Sequence, residues 1–163
     1  MLEHDAGLRV ADVLARVLRD RGISGLLAIG VQLRERQTER ILRVGLGTLF
    51  LAHGLLKLLV FKPAGAYGYF KSLGLPGALA YVTMTAELAG GTGLIIGFMP
   101  RYVALLLVPL ILGTIVVVHG KNGWIFTNKD GGWEFPAFWA LALFVQFLLG
   151  DGAWVLIASP RWF

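Results

Sequence analysis

Three ionisable residues in apolar surroundings, His53, Lys57 and Glu87, are the strongest candidates for chemistry in this sequence. Glu87 lies within YVTMTAELAGGTGLIIG, residues 81–97, where the flanking residues are apolar or small over a length that suits a bilayer span. A carboxylate is costly in the middle of a membrane, so it normally faces a protein interior or a wet cavity and has a partner. The sequence therefore predicts a partner for Glu87.

His53 and Lys57 are the predicted partners because residues four apart share one face of a helix. Counted inward from an expected outer helix end at Phe61, His53 lies about 12 Å deep at 1.5 Å per residue. Glu87, counted in the same way from Gly77, lies about 15 Å deep. These similar depths predict one site in which His53, Lys57 and Glu87 are the candidate catalytic residues. The structural alternative stays open for each: Lys57 could extend to the interface, His53 could pack, and the ion pair could serve stability alone.

A second set of residues could bind a ligand beside these three. Thr83 lies one turn from Glu87 on the same helix face, and His119 and Glu134 lie near the expected outer ends of two further helices, where a purely interfacial role is the alternative. The candidate ligand-binding residues are Thr83, Gly91, His119, Trp124 and Glu134.

A cluster of His, Lys and Glu beside aromatic residues can hydrogen-bond quinone carbonyls and relay protons. A quinone is therefore the cofactor that fits these residues best, although many non-enzymatic pockets would carry the same groups. We predict neither a metal nor a haem, because no two histidines are closely spaced and His53 and His119 are expected at different depths. The absence of cysteine excludes thiolate and iron–sulfur chemistry within this chain.

Composition places these residues in a membrane protein. Of 163 residues, 56% are hydrophobic and 15% charged, more apolar surface than a small soluble domain could bury. We predict an all-α, four-helix transmembrane bundle at residues 41–157, with spans at about 41–61, 77–99, 102–119 and 135–157. All ten arginines fall on one side of this topology and all five lysines on the other, which predicts that both termini, including a tail at 158–163, are cytoplasmic. The basic residues form no nucleic-acid-binding patch.

Residues 1–40 form a separate N-terminal segment. Val10, Leu14, Val17 and Leu18 share one face of a predicted amphipathic helix that ends at Gly22. The apolar run at residues 23–33 is too short to span a bilayer, which predicts an interfacial cytoplasmic segment. A soluble cap and a docking surface for a partner are the alternatives.

Several stretches of residues 44–154 resemble the DoxX family of small bacterial membrane proteins. The first helix carries His53, Gly54 and Lys57 in an HGxxK pattern, and the second carries Glu87 in AELAGGTGLIIGF. GGWEFPAFW (residues 131–139) and GDGAW (residues 150–154) complete the resemblance. It implies a four-helix protein of the bacterial inner membrane, similar to the membrane subunit of thiosulfate:quinone oxidoreductase. Other members are associated with oxidative-stress complexes, and animal relatives look like assembly chaperones.

These observations leave two main functions open. The first is a membrane subunit of a respiratory or redox complex that binds a quinone-type ligand and associates with lipid and with other subunits or further copies of itself. The second is a non-catalytic anchor or assembly factor for a partner complex. A small-solute transporter is a weaker third reading, because no inverted repeat is evident. Whether the chain is itself part of an enzyme stays open.

Overall fold

The computed structural model describes residues 2–160, and this part of the chain is helical with no strand. The all-α prediction is thereby confirmed. The elements in order are α1 (Leu2–Leu55), a π-helical turn (Leu56–Val60), α2 (Lys62–Ser72), α3 (Leu79–Ile96), α4 (Pro100–Thr114), a second π-helical turn (Ile115–His119) and α5 (Glu134–Leu149). Residues 161–163 of the predicted tail lie outside the described residues.

Three helical stretches are long and apolar enough to cross a membrane: Gly22–Val60, Leu79–Ile96 and Pro100–Asn122. Helix α5 is also apolar but has only 16 residues. Large apolar side chains such as Leu106, Val116 and Phe138 are exposed, as expected for a surface that contacts lipid. These helices confirm the membrane prediction.

The chain divides into two compact units, and the first comprises residues 1–38. Helical geometry is interrupted at Gly22, whose φ of 62° is readily adopted only by glycine. This interruption confirms the predicted end of the first helical stretch. Within this unit Val13, Ile23 and Leu27 are more than half exposed. The side chains of Val10, Leu14 and Val17, which form most of the predicted amphipathic face, lie outside the described part of the structure.

The second unit, from residue 39 onward, has one core to which four helices contribute. Apolar side chains of α1, α3, α4 and α5 interlock in the core. Its buried members are Leu46, Phe50, Leu94, Ala104, Leu107, Ile111, Trp139, Ala140 and Leu143.

Helices α1 and α3 cross in near backbone contact at two glycines. A Cβ added to Gly47 would lie 2.7 Å from the carbonyl oxygen of Gly91, and one added to Gly91 would lie 2.8 Å from that of Gly47. Small residues at a helix crossing allow this approach. Gly91 is therefore placed at a helix contact.

Replacing Gly47 with alanine is expected to lower the free energy of unfolding by about 1–3 kcal/mol, because the new methyl group would push the two backbones apart. Thermal unfolding in mild detergent, followed by circular dichroism, measures the change. Gly45→Ala is the matched control, since a Cβ at this neighbouring position meets nothing within 4 Å. Equal losses in the two variants would contradict a tight crossing.

Helix α5 ends at Leu149 instead of continuing to Ile157 as the sequence suggested. Gly150, with φ of 112°, leaves the helical region, and residues 150–160 return toward the end of α3. There the Met99 amide donates to the Ile157 carbonyl at 2.8 Å, and the Ile157 amide donates to the Gly97 carbonyl at 3.1 Å. Asp151 steadies the segment by accepting hydrogen bonds from the amide and hydroxyl of Ser159 at 2.7 and 2.5 Å.

Arg43 joins this C-terminal segment to α3. Its side chain is almost fully buried and donates four hydrogen bonds to main-chain carbonyls. Nη1 reaches Leu94 at 2.6 Å and Ile95 at 3.1 Å, and Nη2 reaches Ala153 at 2.8 Å and Trp154 at 2.6 Å. The planar fork of a guanidinium suits such a two-sided contact.

Candidate functional site

A cavity of about 1250 Å³ opens among the helices of the second unit, large enough for an organic cofactor. Its lining is mainly apolar and comes from the end of α1 and the first π-helical turn, from α2, α3, α4 and α5, and from the loop before α5. Five of the eight predicted site residues line it: His53, Lys57, Thr83, Glu87 and His119. The other three lie elsewhere.

Lys57 and Glu87 form a bidentate ion pair in this cavity. The Lys57 Nζ donates to both carboxylate oxygens of Glu87 at 2.7 Å. The side chain of Glu87 is only 6% exposed and that of Lys57 20%. Charge-assisted hydrogen bonds of this kind are among the strongest in proteins. The predicted pairing of Glu87 with a basic group from the first apolar helix is thus present.

Two local features bring this pair together. Lys57 lies in the π-helical turn Leu56–Val60, and π-helical turns inside α-helices are frequent at functional sites. Gly54 lets α3 approach, because a Cβ at this position would lie 2.8 Å from Leu88 and 3.3 Å from the Cβ of Glu87. The glycine before Lys57 in the sequence therefore has a steric reason.

His53 lines the same cavity but does not bond to Glu87. Its Nδ1 lies 2.9 Å from the Leu49 carbonyl oxygen, one helical turn earlier. The imidazole packs against the Trp139 ring, with centroids 4.9 Å apart. Of the two predicted partners of Glu87, Lys57 makes the contact and His53 lies to its side.

Trp139 is a cavity residue that the sequence analysis did not select. It is 5% exposed and packs between Phe50 and Phe135, with centroid distances of 4.7 and 5.6 Å. Its Nε1 is buried and has no hydrogen-bond partner among residues 2–160. Buried indole N–H groups usually have a partner, but this nitrogen has none and has almost no accessible surface. In the sequence, Trp139 lies five residues after Glu134 and therefore beyond the expected interface. This position was the signal that could have identified it as a cavity residue.

His119, at the end of the second π-helical turn, lines the cavity. Its Nδ1 lies 2.9 Å from the Gly131 carbonyl oxygen in the loop before α5. The Asn122 side-chain amide donates to the same carbonyl and to that of Asp130, both at 3.0 Å. These contacts hold the loop against the cavity, whose lining also includes Lys121 and Asp130.

Gly91, Trp124 and Glu134 do not line the cavity. Gly91 lies at the α1–α3 crossing. Trp124 and Glu134 line a shallower groove of about 600 Å³ on the other side of Phe126 and Phe135. The Trp124 ring packs edge-on against Trp133, at 4.4 Å between centroids, and a Glu134 oxygen accepts from the Phe126 amide at 2.8 Å. These contacts give both residues a role in holding the loop.

The polar groups of the cavity are largely engaged by other protein groups. Among the described residues no group of three or more His, Asp or Glu side chains could hold a metal ion. The carboxylate is already engaged by Lys57, and both histidines contact carbonyl oxygens through Nδ1. What remains is a mainly apolar chamber with a few convergent polar groups.

Fold and site together define a helical membrane protein with an ion-paired cavity among its helices. Residues 40–120 match the family model described as DoxX, so this part of the chain belongs to the DoxX family. Over 81 residues the chain is 37% identical to "Putative oxidoreductase CatD" of Bacillus subtilis (strain 168). The matched stretch covers 50% of this chain and 59% of that relative. No solved structure matches the chain.

Proposed function

We propose that the protein is a membrane subunit of a redox complex and binds a quinone-type ligand in the cavity. The observation that carries this proposal is the Lys57–Glu87 pair, which brings a charged donor to a mainly apolar chamber. A quinone combines the matching parts, since its ring carbonyls accept hydrogen bonds and its isoprenoid tail is apolar. The name of the Bacillus subtilis relative, "Putative oxidoreductase CatD", supports a role in redox chemistry.

Each polar residue would have a distinct role in this site. Two of the three N–H groups of Lys57 donate to Glu87, so the third is available to polarise a ligand oxygen. Glu87 balances the lysine charge and accepts protons, and His53 orients the ligand through its remaining ring nitrogen. Electrons would have to come from a partner subunit, and any thiol chemistry would also belong there because this chain has no cysteine.

The proposal includes a topology of four spans in the bacterial inner membrane. Helix α5 would be the fourth, and its 16 residues rise about 24 Å, a short span to which the C-terminal segment adds. Arg43 and Arg101 both contact the C-terminal segment. Lys57 and Lys121 line the cavity instead. Excess arginine favours a cytoplasmic location, so both termini would be inside and the cavity in the outer half.

Photoaffinity labelling with an azido-benzoquinone in lipid nanodiscs tests the ligand. The label is expected on peptides of α3 or α5, and an excess of decyl-substituted benzoquinone should compete with it. Trp139→Phe should reduce labelling about 5- to 10-fold, equivalent to roughly 1–1.4 kcal/mol, because the smaller ring packs less well against His53 in the cavity wall. Trp154→Phe is the control, since Trp154 is 76% exposed and outside the cavity. Label that resists competition, or falls equally in both variants, would contradict the proposal.

The exposed apolar residues of the first unit favour a second candidate, a non-catalytic anchor or assembly factor. Val13, Ile23 and Leu27 present an apolar surface that a partner protein could cover. Purification in mild detergent with and without residues 2–38 separates the candidates. Loss of a stoichiometric partner on deletion, together with no competable label in the cavity, would favour the anchor.

A further inference from the structure

The two cavity histidines are fixed in the same tautomer. His53 and His119 each approach a main-chain carbonyl through Nδ1, at 2.9 Å from Leu49 and from Gly131 respectively. A carbonyl oxygen can only accept, so Nδ1 carries the hydrogen in each ring. In a neutral imidazole the other nitrogen, Nε2, is then a hydrogen-bond acceptor. Both rings therefore present a lone pair and no N–H beyond the one already used.

Three neutral side chains elsewhere in the cavity lining follow the same pattern. The Thr83 hydroxyl donates to the Ala80 carbonyl at 3.0 Å, and the Thr114 hydroxyl donates to the Ile111 carbonyl at 2.8 Å. Asn122 uses its amide hydrogens on loop carbonyls. Each of these side chains keeps only oxygen lone pairs for a ligand. The neutral polar lining is thus a set of acceptors whose own hydrogens are already committed.

Few hydrogen-bond donors remain within the cavity. They are the third N–H of Lys57, the hydroxyl of Tyr69 and the exposed ammonium of Lys121. Five acceptor side chains therefore face three donor groups. A ligand that can donate hydrogen bonds satisfies this lining better than one that only accepts.

We propose that the cavity selects the reduced, hydroxyl-bearing form of its ligand, a hydroquinone, over the oxidised quinone. This inference rests on the proposed function and names the redox form that the site holds. The two hydroxyl groups of a hydroquinone can each donate to an acceptor such as His53 Nε2 while their oxygens still accept from a donor such as Lys57. The carbonyls of a quinone only accept, and they leave the histidine and threonine lone pairs without a hydrogen. Sites with buried polar groups discriminate strongly against ligands that leave those groups unpaired.

The test compares the two redox forms of one probe on the full chain in nanodiscs under anaerobic conditions. The probes are a decyl-substituted benzoquinone and the corresponding hydroquinone, and the measurement is the Kd of each by microscale thermophoresis. We expect the hydroquinone to bind at least tenfold more tightly, equivalent to about 1.4 kcal/mol. Equal or tighter binding of the quinone would overturn this inference and leave the proposed function standing. Binding of neither probe would overturn both.

A pair of threonine variants on α3 provides a matched control. Thr83→Val removes one cavity acceptor with little change in shape, and the affinity ratio of hydroquinone to quinone should fall about threefold. Thr92 makes the same kind of bond, from its hydroxyl to the Leu88 carbonyl at 2.7 Å, but lies outside the cavity lining. Thr92→Val should leave the ratio unchanged. A ratio that falls equally in the two variants would overturn the assignment of Thr83 as a ligand acceptor.

Discussion

Replacing Lys57 with methionine is expected to lower the free energy of unfolding by about 3–5 kcal/mol, among the largest effects of any single substitution in this chain. The variant leaves the Glu87 carboxylate, 6% exposed, without the two 2.7 Å hydrogen bonds that compensate its burial. Thermal and denaturant unfolding in mild detergent, followed by circular dichroism, measures the loss. Lys71→Met is the matched control, because Lys71 is exposed and lies outside the cavity lining, and its effect should stay within about 0.5 kcal/mol.

The double variant Lys57→Met/Glu87→Leu should recover most of this loss. A buried ion pair replaced as a whole by apolar side chains of similar size is often neutral in stability, whereas a buried charge without a partner is not. We expect the double variant to lie within about 1 kcal/mol of the parent protein and to have lost quinone labelling. If it were as unstable as Lys57→Met alone, the cost would come from packing around Lys57 and not from the isolated carboxylate.

Replacing Arg43 with methionine is expected to cost at least about 3 kcal/mol, because hydrogen bonds to a charged group contribute roughly 1.5–3 kcal/mol each and four are lost. The carbonyls at the end of α3 and in residues 150–160 would lose their common donor. The C-terminal segment should then detach first. Limited proteolysis, with the cleavage sites located by mass spectrometry, should show cutting within residues 150–160 well before the helices are cleaved.

Two further substitutions separate the fork of Arg43 from its charge. Arg43→Lys keeps the charge but replaces a planar fork with a single ammonium, so it should recover less than half of the stability lost in Arg43→Met. Arg36→Met removes an exposed arginine of α1 and should leave the proteolysis pattern unchanged. Full recovery with lysine would show that charge alone holds the segment.

The helices and the ion pair could be predicted from sequence because each rests on a local rule. Long apolar runs define the membrane-crossing helices, and the high cost of a carboxylate within such a run requires a partner for Glu87. His53 was the basic residue expected near the depth of Glu87, and Lys57 one turn closer to the surface is the one that bonds. Hydropathy could not decide between them because both lie on the same helix face.

Trp139 and Arg43 could not be predicted because their roles depend on distant backbone and packing. The partners of Arg43 are four main-chain carbonyls, which no residue type encodes. The importance of Trp139 lies in the packing of its ring against Phe50 and His53, which belong to a distant helix. The same limit applies to α5, where apolar composition suggested a helix to Ile157 while the backbone at Gly150 and the Asp151–Ser159 contacts direct the chain back toward α3.

The pairing of Lys57 with Glu87 also determines how the cavity responds to an electric field. A transmembrane voltage performs work of about 2.3 kcal/mol per elementary charge per 100 mV across the full membrane, but opposite charges 2.7 Å apart nearly cancel. The resting site is therefore almost insensitive to voltage. A proton that arrives at Glu87 leaves the lysine charge uncompensated, so each protonation there becomes voltage dependent in a membrane that carries a potential.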